Sequence, residues 1–176
     1  MKISPNAQAV FNLEYDEAQN AIQNGWIGAG RYLSGGSKGE PRIPSRLKPN
    51  SSCLLTGLPA NSAEEERCIW GAFMVKEDFW GEHCKDGHIL RHDRYRICLP
   101  KDAALPYWRY FDHGDCCPRW GQVAFKYFPN DIMQRILLDM TKAAAGTQQE
   151  RTVNEFYEYF CEINRLSDIG AASGVQ

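Results

Sequence analysis

The sequence predicts an α+β fold: a small curved, mostly antiparallel sheet or pseudo-barrel with flanking helices and a C-terminal helical pair. Three observations lead there. The middle of the chain carries about five or six short apolar or alternating runs separated by turn signals, too few for a sandwich. Both ends carry helical periodicity instead. A chain of 176 residues also suits one ordinary domain, large enough to fold without disulfide staples.

Taken in order, Ser4-Pro5 resembles a helix start, and "AVFNL" is a turn of helix or a strand. "DEAQNAIQNG" reads as a short helix, with Asp16 as N-cap, Gln19 three residues on and Asn24-Gly25 as the stop. "WIGAGRYL" reads as a strand. The stretch at 34–52, "SGGSKGEPRIPSRLKPNSS", is a long Pro, Gly and basic loop that offers little to a core. "SSCLLTGL" and "RCIWGAFMV" read as buried strands on either side of the charged turn "NSAEEE". "RYRICLP" alternates, placing Tyr95, Ile97 and Leu99 on one face. The aromatic centre of "KDAALPYWRYFDHGDCCPR" suits one helical turn, and "WGQVAFKYF" is a strand with Val123, Phe125 and Tyr127 together. Ile132, Met133, Ile136, Leu137 and Met140 form the stripe of a helix ended by Gly146. Thr147 and Glu150 read as a capping box for a last helix buried through Val153, Phe156, Tyr157, Phe160 and Ile163. Residues 1–145 thus form the sheet domain, 146–168 a C-terminal helix packed on it or on a partner, and 169–176 a tail.

Composition narrows the function classes. At 43% hydrophobic and 24% charged residues the chain is globular, and its net charge of −2 does not itself advertise nucleic acid. No run is long enough to span a bilayer, and the start lacks a charged-then-apolar leader, so no membrane partner is expected. An odd seven cysteines then suggest reduced thiols and a cytoplasmic setting.

"EHCKDGHILRH" at 82–92 holds three of the four histidines. Zinc through Cys84, His88, His113 and Cys116 is the lesser alternative to no cofactor at all. Asp86-Gly87 breaks any helix between the ligands, and an extended 88–92 would hold its histidines about 13 Å apart. Proton transfer by histidine with Glu82, Asp86, Asp93, Asp112 or Asp115 is open to any polar loop, and no nucleophile elbow, P-loop or dinucleotide fingerprint accompanies it. The stretch itself reads as a polar hairpin turning on Asp-Gly.

Basic and aromatic residues interleave around that hairpin. Arg91, Arg94, Arg96 and Arg109 accompany Trp80, Trp108 and Trp120, while the loop adds Arg31, Lys38, Arg42 and Arg46. Acidic residues gather elsewhere, at 64–66 and in the last helix. Such asymmetry can raise a basic face on a mildly acidic protein, where cations meet phosphates and rings stack on bases.

The order of "AIQNGWIGAG", "RIPSRLKPNSSCLLTGLP", "RCIWGAFMVKEDFW", "HDRYRICLP", "YWRYF", "WGQVAFKYF" and "DIMQRILLDM" resembles the PUA-like superfamily, which includes EVE, ASCH and YTH domains. The likeness covers roughly residues 10–142. It implies a nucleic-acid-binding module, for DNA or RNA that is single-stranded or carries an extruded base, whose aromatic pocket reads a modified, methylated base. Trp80 and Trp108, with Trp70 or Trp120, would enclose the base. Asp78, Asp112 or backbone groups would read its edge, and the seven arginines and one lysine just named would hold phosphates. The weight falls against an enzyme. A metal- or histidine-dependent nuclease or hydrolase stays open, as does an interaction or regulatory domain that forms a homodimer through the last helix.

Overall fold

Apolar runs in the middle of the chain become strands because their side chains divide between two faces, each with its own cover. The computed structural model describes residues 7–114 and 116–170. Its elements are β1 (Gln8–Asn12), α1 (Tyr15–Asn24), β2 (Trp26–Gly28), β3 (Ser52–Gly57), β4 (Cys68–Val75), β5 (His88–Cys98), β6 (Leu105–Pro106), β7 (Phe125–Phe128), α2 (Asn130–Ala143) and α3 (Glu150–Ile163). The fold is α+β: a curled half-barrel sheet in the order β2-β5-β4-β3-β1-β7, with the short β6 beside β4. Only β1 and β3 run parallel among the described pairs, because α1, β2 and the long loop form the crossover between them.

Val10, Leu54, Ala72, Met74 and Ile97 face α2 and α3, whose Met133, Ile136, Leu137, Met140, Val153, Phe156 and Phe160 complete that core. Ala9, Phe11, Cys53, Leu55, Phe73 and Val75 face the other way, onto Ala18, Ala21 and Ile22 of α1. Two irregularities bend the sheet. One leaves Trp70 extra between the Leu55–Gly71 and Thr56–Ile69 pairs. The other is larger: the step from Phe73 to Val75 is matched by the step from Arg96 back to Arg91. The surplus on β5 folds around His92, whose Nδ1 accepts the backbone N–H of Arg94 at 3.0 Å and of Tyr95 at 3.4 Å.

Several boundaries differ from the sequence reading. "AVFNL" resolves to a strand. α1 starts earlier, capped by Glu14, whose N–H bonds the Glu17 carboxylate at 3.3 Å. Tyr15 is already helical because its ring meets Trp70 edge-on and its hydroxyl donates to the Leu99 carbonyl. Gly25 ends the helix as expected, at φ 90°. β2 stops at Gly28, and β7 begins only at Phe125, leaving Val123 exposed. The loop gives the core more than expected, since Leu47 is fully buried. No Thr147–Glu150 box forms: Thr147 donates to the Ala144 carbonyl, and Glu150 accepts from the Gly146 N–H. α3 then packs on its own sheet, with Tyr95 of β5 against Phe156 and Tyr159. Its apolar stripe is therefore buried within the chain. Ser4-Pro5, Asp115 and the tail residues 171–176 lie outside the described residues. Among the described residues, no helix is long and apolar enough to cross a membrane.

Candidate ligand groove at the open seam

The curl brings the two edge strands, β2 and β7, toward each other without pairing them. Contact is made just outside the strands. At Gly30, φ +78°, an added Cβ would lie 2.6 Å from the Ala124 Cβ, so only glycine lets the chain pass there. Arg42 Nη1 reaches over to donate to the Phe125 carbonyl at 3.3 Å. Two hollows share Ala124: one of about 380 Å³ between α1 and β2, and one of about 620 Å³ between the 31–34 and 122–124 segments.

The first hollow has an apolar floor of Phe11, Ala21 and Ile27. Its wall is one face of α1, Glu17, Asn20 and Asn24, at the spacing that stacks helix residues in a row. Glu17 is the one charged side chain among these lining residues. Asn12, which also lines the hollow, accepts at Oδ1 from Arg67 Nη1 at 2.6 Å, so its amide N–H groups are not used in that bond. Opposite stands Trp26, 42% exposed, its ring stacked on His88 at 4.2 Å and 25°. On the β5 side, Gly25 O accepts from Arg91 N and Ala29 N donates to Gly87 O. By the alternation of an antiparallel ladder, the N–H and C=O of Trp26 and Gly28 point to the free edge. The arrangement can stack a planar ring and meet its edge with an anionic acceptor, amides and unpaired backbone.

The second hollow is cationic. Arg31, Tyr32, Leu33, Ser34, Arg42, Gln122 and Val123 line it together with Ala124, with no acidic side chain among them. Arg31 is held by one bond, Nη1 to the Gly39 carbonyl at 2.7 Å. The Arg42 guanidinium lies over the Phe125 ring, 4.1 Å from its centre.

The other residues named from sequence are scattered. Trp70 is buried against Tyr15 on the α1 side of the sheet, its indole N–H bonded to the Leu13 carbonyl. Trp108 and Trp120 both flank buried Tyr107, and their N–H groups bond the Glu64 and Val123 carbonyls. Trp80 is exposed beside the turn at 81–83, where Gly81 N bonds Leu47 O. Trp70 lies in one core and Trp108 and Trp120 border the other, so these tryptophans do not converge on one concavity: strand-phase burial claimed Trp70, and Tyr107 organised the other pair. Asp78 pairs loosely with Lys76 at 3.9 Å, and Asp112 accepts from Gly114 N.

Among the cations, only Arg31 and Arg42 line the seam hollows just described. Arg46 sits over Tyr127 beside the start of α2, and Lys38 is exposed in the loop. Arg94 is held by Glu155 at 2.6 Å, and hydrogen bonding from Arg94 and Arg151 pulls that carboxyl below its usual range. Arg96 lines a separate hollow with Asp93 and Arg94. Arg91 is buried, its charge disfavoured by desolvation and by Arg96, and its Nη1 donates to the His92 carbonyl. Arg109 is exposed one residue before buried Tyr110.

The histidines and cysteines do not converge either. Cys84 Sγ lies 3.5 Å from Asp86 Oδ1, and His88 Nδ1 lies 3.5 Å from Asp86 Oδ2. His113 and Cys116 are bonded to each other's loop, His113 Nδ1 to Cys116 O, against Trp108. Among the described residues no three His, Cys, Asp or Glu side chains form a group that could hold a metal ion.

Two features escaped the sequence reading. One is the fifth tryptophan, Trp26, together with the α1 row beside it. Its signal was present: it directly follows the Asn24-Gly25 helix stop, and strand alternation turns Trp26 and Gly28 outward when Ile27 turns in. The other is Arg67, buried at 3% exposure, bonded to Glu64 and Asn12, with the Trp120 ring 4.6 Å away. Lys126 approaches the same ring at 4.5 Å, and burial and Arg67 hold its pKa below the usual lysine value. This cluster is a structural brace, sealed by Tyr107 and Trp120.

Fold and site together define an α+β half-barrel with an aromatic, amide-lined seam beside a cationic hollow. No protein-family model matches the chain, and no curated protein matches it.

Proposed function

We propose that the chain binds single-stranded nucleic acid, or a base extruded from a duplex, along the seam. The observation that carries this reading is Trp26, a half-exposed residue lining an amide-lined hollow that shares Ala124 with the arginine-lined one. A base stacks on the free face of Trp26, while Arg31 and Arg42 take the neighbouring phosphates. The resemblance to PUA-like domains points the same way. The methyl-base cage is not carried forward, since a cage needs several rings around one base and Trp26 is the one exposed ring lining this hollow.

Salt titration tests the reading. Anisotropy of a labelled single-stranded oligonucleotide should show affinity falling steeply with salt, by about 0.7 in logarithmic slope for each phosphate contacted. Replacing Arg31 and Arg42 together by alanine should flatten that slope by roughly 1.4. Binding that ignores salt, or a slope unchanged in the double variant, overturns it.

A further inference from the structure

We infer that the base seated at Trp26 is guanine, read through Glu17; this rests on the seam being a nucleic-acid site. The wall beside Trp26 carries one carboxylate and no cation among its lining residues, so its strongest hydrogen-bonding group accepts and cannot donate when ionised. Glu17 Oε2 already accepts the Glu14 N–H, which fixes the side chain along the first turn of α1 while its remaining acceptor capacity stays open. A carboxylate is best matched by two adjacent N–H donors. Guanine presents them on one edge, as its ring N1–H and its exocyclic amino group.

The other bases fit less well. Adenine and cytosine each offer an amino group next to a ring acceptor, which a carboxylate would repel. Uracil and thymine offer one N–H between two carbonyls. The amides of Asn12, Asn20 and Asn24 can donate to the guanine O6 and N7 acceptors, a role open to neutral amides and closed to Glu17. Exposure of the wall lets a base enter without displacing a packed side chain, for Glu17, Asn20 and Asn24 are all exposed.

The probe is an oligothymidylate with one central guanine, hypoxanthine, adenine or cytosine, and the matching oligouridylate set. Hypoxanthine keeps the guanine ring and lacks only the amino group. The wild-type protein should bind the guanine probe about tenfold tighter than the others, the worth of one well-matched edge. Glu17→Gln keeps an oxygen to cap α1, so its melting temperature should hold, yet its guanine preference should drop to the level of hypoxanthine. Trp26→Ala should weaken every probe alike. If all probes bind equally, with the loss in Trp26→Ala intact, guanine selection is refuted and the nucleic-acid reading survives. If no probe binds, both fall.

Discussion

Removing the Trp26 ring is the perturbation that bears most directly on the seam. One face of the indole is taken by His88, so a ligand ring can use only the other. Base–aromatic stacking is worth about 1–3 kcal/mol by alanine substitution. A single available face places Trp26→Ala in the lower half of that range, near 1–1.5 kcal/mol, or roughly a 5- to 12-fold loss of affinity. The variant also loses some stability, because the ring is 42% exposed and so partly buried. That burial contributes roughly 2 kcal/mol at 25 cal/mol per Å², a drop of about 4–8 °C in melting temperature for a chain of this size. Binding should therefore be measured near room temperature, after circular dichroism has shown a native spectrum. Trp80→Ala is the matched control, since Trp80 is 46% exposed and lies outside both hollows. Trp26→Phe should recover most of the affinity because it restores a stacking face. A folded Trp26→Ala protein that binds within twofold of wild type would refute the reasoning, as would an equal loss in Trp80→Ala.

Two further outcomes follow from packing and protonation. Burial holds the His92 pKa below its ordinary 6.5, so the unfolded chain takes up the proton first. Stability from the neutral ring is present above 6.5 and lost as pH falls below it toward the folded value, with a slope of at most about 1.4 kcal/mol per pH unit. Urea melts across this window should show the loss, and His92→Asn, which keeps an acceptor for the Arg94 and Tyr95 N–H groups, should flatten it; an equally steep variant would contradict the assignment. Truncation after Gly146 removes Val153, Phe156 and Phe160 from the shared core, so the product should aggregate or melt without cooperativity, whereas a soluble, cooperatively melting fragment would show that α3 is dispensable.

How far the sequence could be read depended on whether neighbours alone decide a residue's place. The α2 stripe and the Tyr95, Ile97, Leu99 face were legible because period and polarity agree there, and both point into one core. The α1 stop was legible because Asn24-Gly25 satisfies a local geometric need. The His92 bulge was not, since its acceptor is a side chain bonding N–H groups that alternation assigns to a ladder. Tryptophans defeated local reading for a similar reason. Turn residues beside Trp108 and Trp120 suggested exposure, but Tyr107 packs against both rings and draws them toward the core. Only Arg31 and Arg42 of the residues chosen from sequence line the seam, and what puts them there is the approach of Gly30 to Ala124, a contact between distant segments.

The location of the seam follows from unequal cover on the two faces. α2 and α3, each of 14 residues, span about 21 Å apiece and close one side. α1, of 10 residues, spans about 15 Å on the other and buries only Ala18, Ala21 and Ile22. Its flank toward β2 carries Asn20 and Asn24 where leucines would close over the Trp26 ring and contribute about 1.5 kcal/mol or more each on burial. The chain thus keeps polar amides facing a half-exposed tryptophan, where an apolar pair would stabilise the fold. That choice leaves the seam open, the arrangement that the proposed stacking on Trp26 requires.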